Sequence, residues 1–218
     1  FTLPPNESSD VKKKPVLGFD ADFLRWMLSD GSGAAFLSSE PKKDGLSFKI
    51  EWIENISYAG ELDTCMYAGG LKNQDGSVIG WRQDTTCLES AKSNLFAVRQ
   101  DVKLLDEHIV TTAMERALVQ TVQKHKLETD QIDWYLPHYS SDYFRQRFYD
   151  GMVRGGFEIP YEKWFTNLAE VGNIGSASIY LLMEGLMESG KLNQGDKVLC
   201  FIPESGRFAH CFILLTVV

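Results

Sequence analysis

The sequence GNIGSASIYLLMEGLMESGKLNQGDKVLCFIPESGRF, residues 172–208, contains the pattern that decides the fold. A glycine-bearing loop leads into a run of small and apolar residues typical of a helix, and an S-G-K turn follows it. The sequence G-D-x-V-L then opens an apolar strand at 197–202. PESGRF joins that strand to a second apolar run at 208–217, so we predict a helix followed by two strands and a turn between them.

Towards the N-terminus, apolar strand patterns alternate with amphipathic helix patterns. Besides the two C-terminal strands, we predict a strand at 47–53, a long helix at 97–125, a strand at 132–138, an extended segment at 163–168, and helices at about 141–154 and 176–188. Such alternation predicts an α/β fold with βαβ units and a largely parallel or mixed sheet covered by helices. Ligands bind at the loops that follow strand ends in sheets of this kind.

The N-terminal third of the chain is less regular. Residues 1–15 lack apolar periodicity and are expected to form a flexible lead or linker. FLRWML, the turn SDGSG and AAFLSS follow from Phe23, and this pattern predicts a hairpin. Residues 58–95 carry many Gly, Asp, Asn and Thr without a clear period, so we expect an irregular insertion there.

Charge and composition exclude several classes of function. Twenty-two Lys and Arg residues against 30 Asp and Glu residues give a net charge of -8, the wrong sign for attraction to phosphate backbones or anionic lipid. The longest apolar stretch, 211–218, is far shorter than the roughly 20 residues of a membrane span. The cysteines lack C-x-x-C spacing and the histidines lack metal-ligand spacing. We therefore expect a cytoplasmic protein without a metal, a nucleic-acid partner or a membrane span.

His138 directly follows WYLP, so it stands at the carboxyl end of a predicted buried strand and just before a helix start. Loops in this position often form binding and catalytic sites. A histidine there can donate a hydrogen bond as a neutral ring or act as a base. The alternative is a ring that only caps backbone groups, and the position alone is compatible with both interpretations.

Asn173 lies in the loop VGNIGSAS, where Gly172 and Gly175 let the backbone pass close to a neighbour. Its side-chain amide would be a fixed hydrogen-bond donor beside the helix that begins at Ser176 or Ser178. The alternative is a loop asparagine in a left-handed turn, followed by a serine that caps the helix.

Taken in order, LSDGSGAAFL at 28–37, DWYLPHYSS at 133–141 and the stretch at 172–208 closely resemble the β-ketoacyl-acyl-carrier-protein synthase III branch of the thiolase-fold condensing enzymes. The resemblance extends from about Phe23 to Val218. It implies a thiolase-like α/β fold. Residues 42–218 would be the C-terminal half, a mixed five-stranded sheet covered by helices, and residues 16–41 would be the last hairpin of the N-terminal half.

The resemblance also implies an activity. Family members are acyltransferases that condense an acyl thioester with malonyl-carrier protein and release carbon dioxide, using a Cys, His and Asn triad. It places the His on His138 and the Asn on Asn173, with Gly172, Gly175 and Gly206 at the substrate. It implies acyl carrier protein as a partner, acyl-CoA or acyl-carrier thioester and malonyl-carrier as substrates, no further cofactor, and a homodimer when the protein is full length.

Two features depart from the family pattern. The family nucleophile lies well before the DGSGA segment, and none of the 29 residues before Asp30 is a cysteine. We therefore expect the nucleophile in an N-terminal half outside this chain, and an inactive isolated chain. PESGRF stands where the family often has glycines that line the site, and Glu204 and Arg207 add bulk and charge there, so the acyl-chain preference stays open. The 58–95 segment resembles the subgroup that serves dialkylresorcinol and aryl-polyene pathways.

Two other interpretations remain open at this point. The chain could be a nucleophile-free partner subunit of a heteromeric condensing enzyme, although such a subunit has no need of both hydrogen-bond donors. The same fold could also transfer an acyl group onto a hydroxyl or an amine.

Overall fold

The computed structural model describes residues 24–84 and 95–218. These residues contain eight strands: β1 (Phe48–Ser57), β2 (Met66–Tyr67), β3 (Gly70–Lys72), β4 (Val78–Gly80), β5 (Arg99–Gln100), β6 (Trp134–Pro137), β7 (Lys197–Glu204) and β8 (Ala209–Val217). Four of them form one sheet in the order β1-β8-β7-β6. β8 pairs antiparallel with both β1 and β7, whereas β6 and β7 are parallel. The sheet is therefore mixed, as predicted.

The helices are α1 (Trp81–Asp84), α2, α3 (Tyr143–Gly155), α4 (Leu168–Val171) and α5 (Ser178–Glu188). α2 is one continuous helix whose α-helical ends, Val102–Val110 and Val119–His125, flank a π-helical segment at Thr111–Leu118. It begins later than the predicted residue 97 because the Asp101 side chain accepts from the Leu104 N–H at 3.0 Å and caps the helix.

The sheet lies between two helical layers, and its alternating side chains fill two apolar clusters. One face of β7 and β8 directs residues such as Phe201 and Phe212 towards α2 and α3. The opposite face directs Cys200 and Leu215 towards α5, where they meet residues such as Leu182. The two-residue side-chain period of the strands thus produces both cores. Because β6 and β7 are parallel neighbours, their carboxyl ends lie on the same side of the sheet.

The predicted hairpin in residues 23–38 is wrong for the part that the structure describes. Residues 24–27 form a helical turn, and no strand follows between 28 and 38. The segment instead lies against the Asn173 loop, where the Ser29 N–H donates to the carbonyl oxygen of Asn173 at 2.8 Å. A strand needs a neighbouring edge to pair with, and these backbone groups face a loop and a helix. The predicted linker at 1–15 and the start of the hairpin segment lie outside the described residues.

Two further predicted features take a reduced form in the described residues. The fifth strand, expected at 163–168, is a single parallel bridge between Trp164 and Tyr135 on β6. The predicted irregular segment at 58–95 contains two short antiparallel pairs, β2 with β5 and β3 with β4. Residues 85–94 of that segment lie outside the described residues.

Candidate functional site

His138 lies at the sheet edge formed by the carboxyl ends of β6 and β7. Its backbone N–H donates to the carbonyl oxygen of Phe201 on β7, at 2.9 Å. This bond continues the parallel register in which Pro137 faces Phe201. The backbone of His138 is therefore held by the sheet, which gives its ring a fixed starting point.

The His138 ring is buried and neutral. The residue is 8 % exposed, and burial lowers the pKa of His138 to about 4. No charged neighbour contributes to that change, so removal from water is the whole cause. Neither ring nitrogen has a hydrogen-bond partner within the described part of the chain. At pH 7 the ring can donate one N–H bond without carrying charge.

The side chain of Asn173 has a defined orientation. Its Oδ1 accepts from the Gly175 N–H at 3.2 Å, and the residue is 8 % exposed. A backbone N–H is always a donor, so the atom that faces it must be the carbonyl oxygen. The amide nitrogen therefore points away from Gly175 and keeps both N–H groups for another acceptor. Gly175 itself has a φ of 59°, a conformation that favours glycine.

Glycines allow the Asn173 loop and the 29–33 segment to approach closely. Gly172 has a φ of 74°, and a Cβ there would lie 2.4 Å from the Ser29 Oγ. A Cβ on Gly31 would lie 2.7 Å from the Cβ of Ile174. Both distances are too short for any larger residue, so D-G-S-G supports the site loop by contact rather than by binding a phosphate.

A small pocket of about 10 Å³, with room for about one water molecule, connects the loop after β6 with the loop before α5. His138 and Gly172 both line it, whereas Asn173, the residue after Gly172, is not among the lining residues. The structure thus brings together His138 and the Asn173 loop. The lining residues are Pro137, His138, Tyr139, Thr166, Asn167, Leu168, Gly172, Ser178 and Leu182.

Gly206 lies in the turn between β7 and β8 and is not among the residues that line this pocket. Its carbonyl oxygen accepts from the Cys65 N–H at 2.8 Å and from the Met66 N–H at 3.3 Å. The Glu204 carboxylate closes the turn by accepting from the backbone N–H groups of Gly206 and Arg207. PESGRF is therefore a turn, as predicted, and its polar groups are bonded to the 58–84 segment, to Gln100 and to one another.

The described cysteines are poor nucleophiles. Burial raises the pKa of the Cys65 thiol to about 12, and it raises that of Cys200 further above the usual range and that of Cys211 less. Cys87 lies outside the described residues. The described residues also contain no group of three or more His, Cys, Asp or Glu side chains that could hold a metal ion.

Sequence reasoning missed one polar group of the pocket, Ser178. The pattern suggested that it could cap the helix, but Ala177 occupies the cap position and Ser178 is the first residue of α5. Ser178 lines the His138 pocket, and its hydroxyl is buried. The sequence could not single out Ser178, because Ser176 two residues earlier has the same side chain and the pattern does not show which of the two is buried.

Comparison with known proteins shows which enzymes this chain resembles in sequence. Residues 122–213 match the family model described as the C terminal of 3-oxoacyl-[acyl-carrier-protein] synthase III. The β-ketoacyl-[acyl-carrier-protein] synthase III of Clostridium perfringens is 32% identical over 201 residues, which are 88% of this chain and 56% of that protein. The enzyme of the same name from Azobacteroides pseudotrichonymphae is 27% identical over 191 residues. The chain spans about half the length of the curated relatives it matches, 47% in this second case.

Solved structures share the fold. The 3-oxoacyl-[acyl-carrier-protein] synthase III of Aquifex aeolicus matches with a TM-score of 0.53 and 19% identity, covering 80% of this chain and 46% of that one. The corresponding enzyme of Pseudomonas aeruginosa matches with a TM-score of 0.55 and 17% identity, covering 78% of this chain and 46% of that one.

The predicted thiolase-like fold class is therefore confirmed. Among the described helices, none has the length and apolar character that crossing a bilayer requires. The shared fold and the matched sequence agree on one assignment: the chain belongs to the β-ketoacyl-[acyl-carrier-protein] synthase III family and corresponds to its C-terminal portion.

Proposed function

We propose that this chain supplies the oxyanion hole of a 3-oxoacyl-acyl-carrier-protein synthase III, with His138 and Asn173 as the two donors. The reaction is a decarboxylative Claisen condensation of an acyl thioester with malonyl-carrier protein. The family resemblance implies that the nucleophilic cysteine lies in the N-terminal half of the synthase. In agreement with this, burial raises the thiol pKa of each described cysteine, Cys65, Cys200 and the partly buried Cys211.

One observation carries the proposal: His138, a buried and uncharged donor, lines a small pocket together with Gly172, the residue before the buried amide of Asn173. His138 is neutral because burial lowers its pKa to about 4, and Asn173 presents its amide N–H groups because Gly175 holds its oxygen. Neutral donors in a site shielded from water stabilise a developing anion without the large cost of burying a cation.

The chemistry explains why such donors are needed. When malonyl-carrier loses carbon dioxide, the carbon–carbon bond to the carboxylate breaks and its electron pair forms an enolate. Negative charge then collects on the thioester oxygen, where N–H bonds from His138 and Asn173 stabilise it by about 3 to 4 kcal/mol per donor. The enolate carbon next attacks the acyl carbon of the acyl-enzyme, a new carbon–carbon bond forms, and the cysteine thiolate leaves.

Acyl carrier protein and an acyl-CoA or acyl-carrier thioester follow from this proposal as partner and substrates. The isolated 218-residue chain is expected to show no condensation, since the proposal assigns the nucleophile to the other half. A homodimer of the full-length enzyme remains a prediction.

Malonyl-carrier decarboxylation by the complete synthase tests the site. His138→Ala and Asn173→Ala are each expected to lower kcat by about 100-fold to 1,000-fold, because each removes one oxyanion donor. Acylation of the nucleophilic cysteine, followed by mass spectrometry of the intact enzyme, is expected to continue in both variants. Asn193→Ala, which removes an exposed asparagine, and His108→Ala are matched controls that should keep the native rate.

Native decarboxylation in both site variants would contradict the assignment of the donors. Binding to an active synthase without any effect of His138→Ala on its rate would favour the nucleophile-free partner subunit instead.

A further inference from the structure

A second cavity, of about 390 Å³, lies between the 58–84 segment and the start of α2. Clefts of roughly 300 to 1,000 Å³ have the usual size of small-molecule sites. This cavity shares no lining residue with the His138 pocket. The roles proposed for His138 and Asn173 therefore leave it unused.

The cavity is basic, although the chain as a whole is acidic. Its lining contains one acidic residue, Asp101, and three basic residues, which are Lys72, Arg99 and Lys103. Three positive charges against one negative charge give the lining a net charge of +2, whereas the whole chain has a net charge of -8. A cleft lined mainly by one sign of charge attracts ligands of the opposite sign.

The basic residues come from three different elements that meet at this cavity. Arg99 on β5 lies directly opposite Tyr67 on β2 in the antiparallel register, so their side chains share one face of the strand pair. Lys72 on β3 reaches the start of α2, where its Nζ lies 3.0 Å from Asp101 Oδ2. Lys103 is in the first turn of α2. Residues that are distant in the sequence are thus brought together by the 58–84 segment.

The carboxylate of the cavity is already bonded, whereas two of its cations are not. Asp101 accepts from the Leu104 N–H through Oδ1 and from the Lys72 ammonium through Oδ2, both at 3.0 Å. The side chains of Arg99 and Lys103 make no hydrogen bond or ion pair with another residue of the described part of the chain. The partly buried Arg99 guanidinium therefore has its N–H donors available beside an open cavity.

The net charge of the lining indicates which anion the cavity suits. A phosphate monoester carries a charge of about -1.5 to -2 at pH 7, which nearly balances a charge of +2. A single carboxylate would balance only half of it. The oxygens of a phosphate accept paired N–H bonds from the fork of an arginine and single bonds from lysines, and both residue types line this cavity.

We infer that this cavity binds a phosphate monoester, whose oxygens accept hydrogen bonds from Arg99, Lys72 and Lys103. Lys72 can keep its bond to Asp101, because an ammonium has three N–H donors. The inference does not depend on the roles proposed for His138 and Asn173. Two sources of the group are compatible with the cavity: a free phosphate, and the 3′-phosphate of coenzyme A.

Titration of the ¹⁵N-labelled 218-residue chain with inorganic phosphate tests the site. The amide signals of Tyr67, Lys72 and residues 99–103 should shift and saturate at millimolar phosphate, whereas sodium chloride of equal ionic strength should not produce these shifts. Coenzyme A and dephospho-coenzyme A, which differ in one phosphate monoester, then separate the two sources. Tighter binding of coenzyme A than of phosphate or dephospho-coenzyme A supports the coenzyme, and equal binding of coenzyme A and phosphate supports the free anion.

Two substitutions that change the charge in opposite directions should have opposite effects. Arg99→Gln removes a positive charge and should weaken phosphate binding about tenfold, which corresponds to about 1.4 kcal/mol, while Arg99→Lys should lose less. Asp101→Asn removes the negative charge, and asparagine can still cap α2. It should therefore strengthen phosphate binding by up to about fivefold, the effect of one unit charge at a few ångströms in water.

Lys103→Gln and Lys43→Gln form a matched pair, because each removes one exposed lysine and Lys43 does not line the cavity. Lys103→Gln should weaken phosphate binding severalfold, and Lys43→Gln should not. Equal weakening in these two variants would overturn the inference, as would weaker binding in Asp101→Asn or the absence of saturable shifts with phosphate. Circular dichroism first confirms that each variant is folded. A complete synthase without decarboxylation would refute the proposed function and leave this result unchanged.

Discussion

Acid is predicted to destabilise the fold through His210, a fully buried histidine on β8. Its Nε2 lies 2.9 Å from Thr112 Oγ1, which in turn lies 2.8 Å from the carbonyl oxygen of His108. The threonine hydroxyl donates its one proton to that carbonyl, so it must accept from Nε2. Nδ1 is then a buried lone pair without a partner in the described residues. Rings of Tyr58 and Phe201 are its aromatic neighbours.

The size of the effect follows from two pKa values. Burial lowers the pKa of His210 to about 3, whereas an unfolded histidine has a pKa of about 6.5. Between these values the unfolded chain binds the extra proton, so the free energy of unfolding falls as pH falls. From pH 7 to pH 5 the loss is about 2 kcal/mol for His210. His138, with its pKa lowered to about 4, adds about 2 kcal/mol more.

His210→Phe isolates the contribution of His210. The variant removes both the titrating ring and the unpartnered Nδ1, while the Thr112 hydroxyl keeps its bond to the His108 carbonyl. At pH 7 its free energy of unfolding should lie within about 1 kcal/mol of the native value, because the lost hydrogen bond and the relieved Nδ1 offset each other. On acidification to pH 5 it should lose about 2 kcal/mol less than the native chain.

Urea unfolding at several pH values between about 5 and 8, followed by circular dichroism, measures these free energies. His108→Gln is the control, because it removes a partly exposed ring and keeps His210 and its contact with Thr112. Identical pH dependence in His210→Phe and the native chain would refute the argument, because the folded chain would then bind a proton at His210 as readily as the unfolded chain does.

Three further predictions concern packing, thiol reactivity and the surface. Gly33→Ala should lower the free energy of unfolding by about 1–3 kcal/mol, because its Cβ would lie 2.4 Å from the Cβ of Tyr180. Gly60→Ala is the control, since the space around Gly60 is open. Equal losses of stability in thermal unfolding of the two variants would contradict the packing argument. Cys65 and Cys200 should not react with iodoacetamide at about pH 8 until the chain is unfolded, because burial raises the pKa of both thiols. Fast alkylation of Cys65 in the folded chain, detected by mass spectrometry, would make Cys65 a candidate nucleophile. Glu54→Gln removes the charge that contacts Lys124 and His125, so it should lower the free energy of unfolding by less than about 1 kcal/mol. Urea unfolding should show a smaller loss of stability in high salt, because salt screens surface charges. A loss of stability that does not depend on salt would show another cause.

Much of the fold could be predicted because its patterns are local. IDWYLPH has the apolar run of a buried strand, and β6 forms there with His138 at its carboxyl end. The apolar residues of the long helix recur at helical spacing, and α2 buries that stripe against the sheet. Each of these features depends on side chains within one element, so the sequence of that element was sufficient.

The hairpin could not be predicted because its outcome depends on distant residues. FLRWML is a short apolar run, and such runs do not distinguish strand from helix by periodicity. Whether it pairs depends on a neighbouring strand edge. In the structure the segment contacts Ile174 and Tyr180 through Gly31 and Gly33, more than 140 positions away in the chain. The glycines were visible in the sequence, but their neighbours were not.

For the candidate site, too, the sequence predicts where the residues lie along the chain but not how their side chains are buried and oriented. The positions of His138 and Asn173 follow from strand and loop patterns, but their chemistry follows from burial and from one backbone bond at Gly175. Ser176 and Ser178 show this limit of the sequence. Along a helix, two residues change the direction of a side chain by about 200°. One serine therefore faces solvent and the other faces the His138 pocket. Identical residues two positions apart thus acquire different surroundings, and the packing of the turn at 175–177 and of α5 decides which of them is buried.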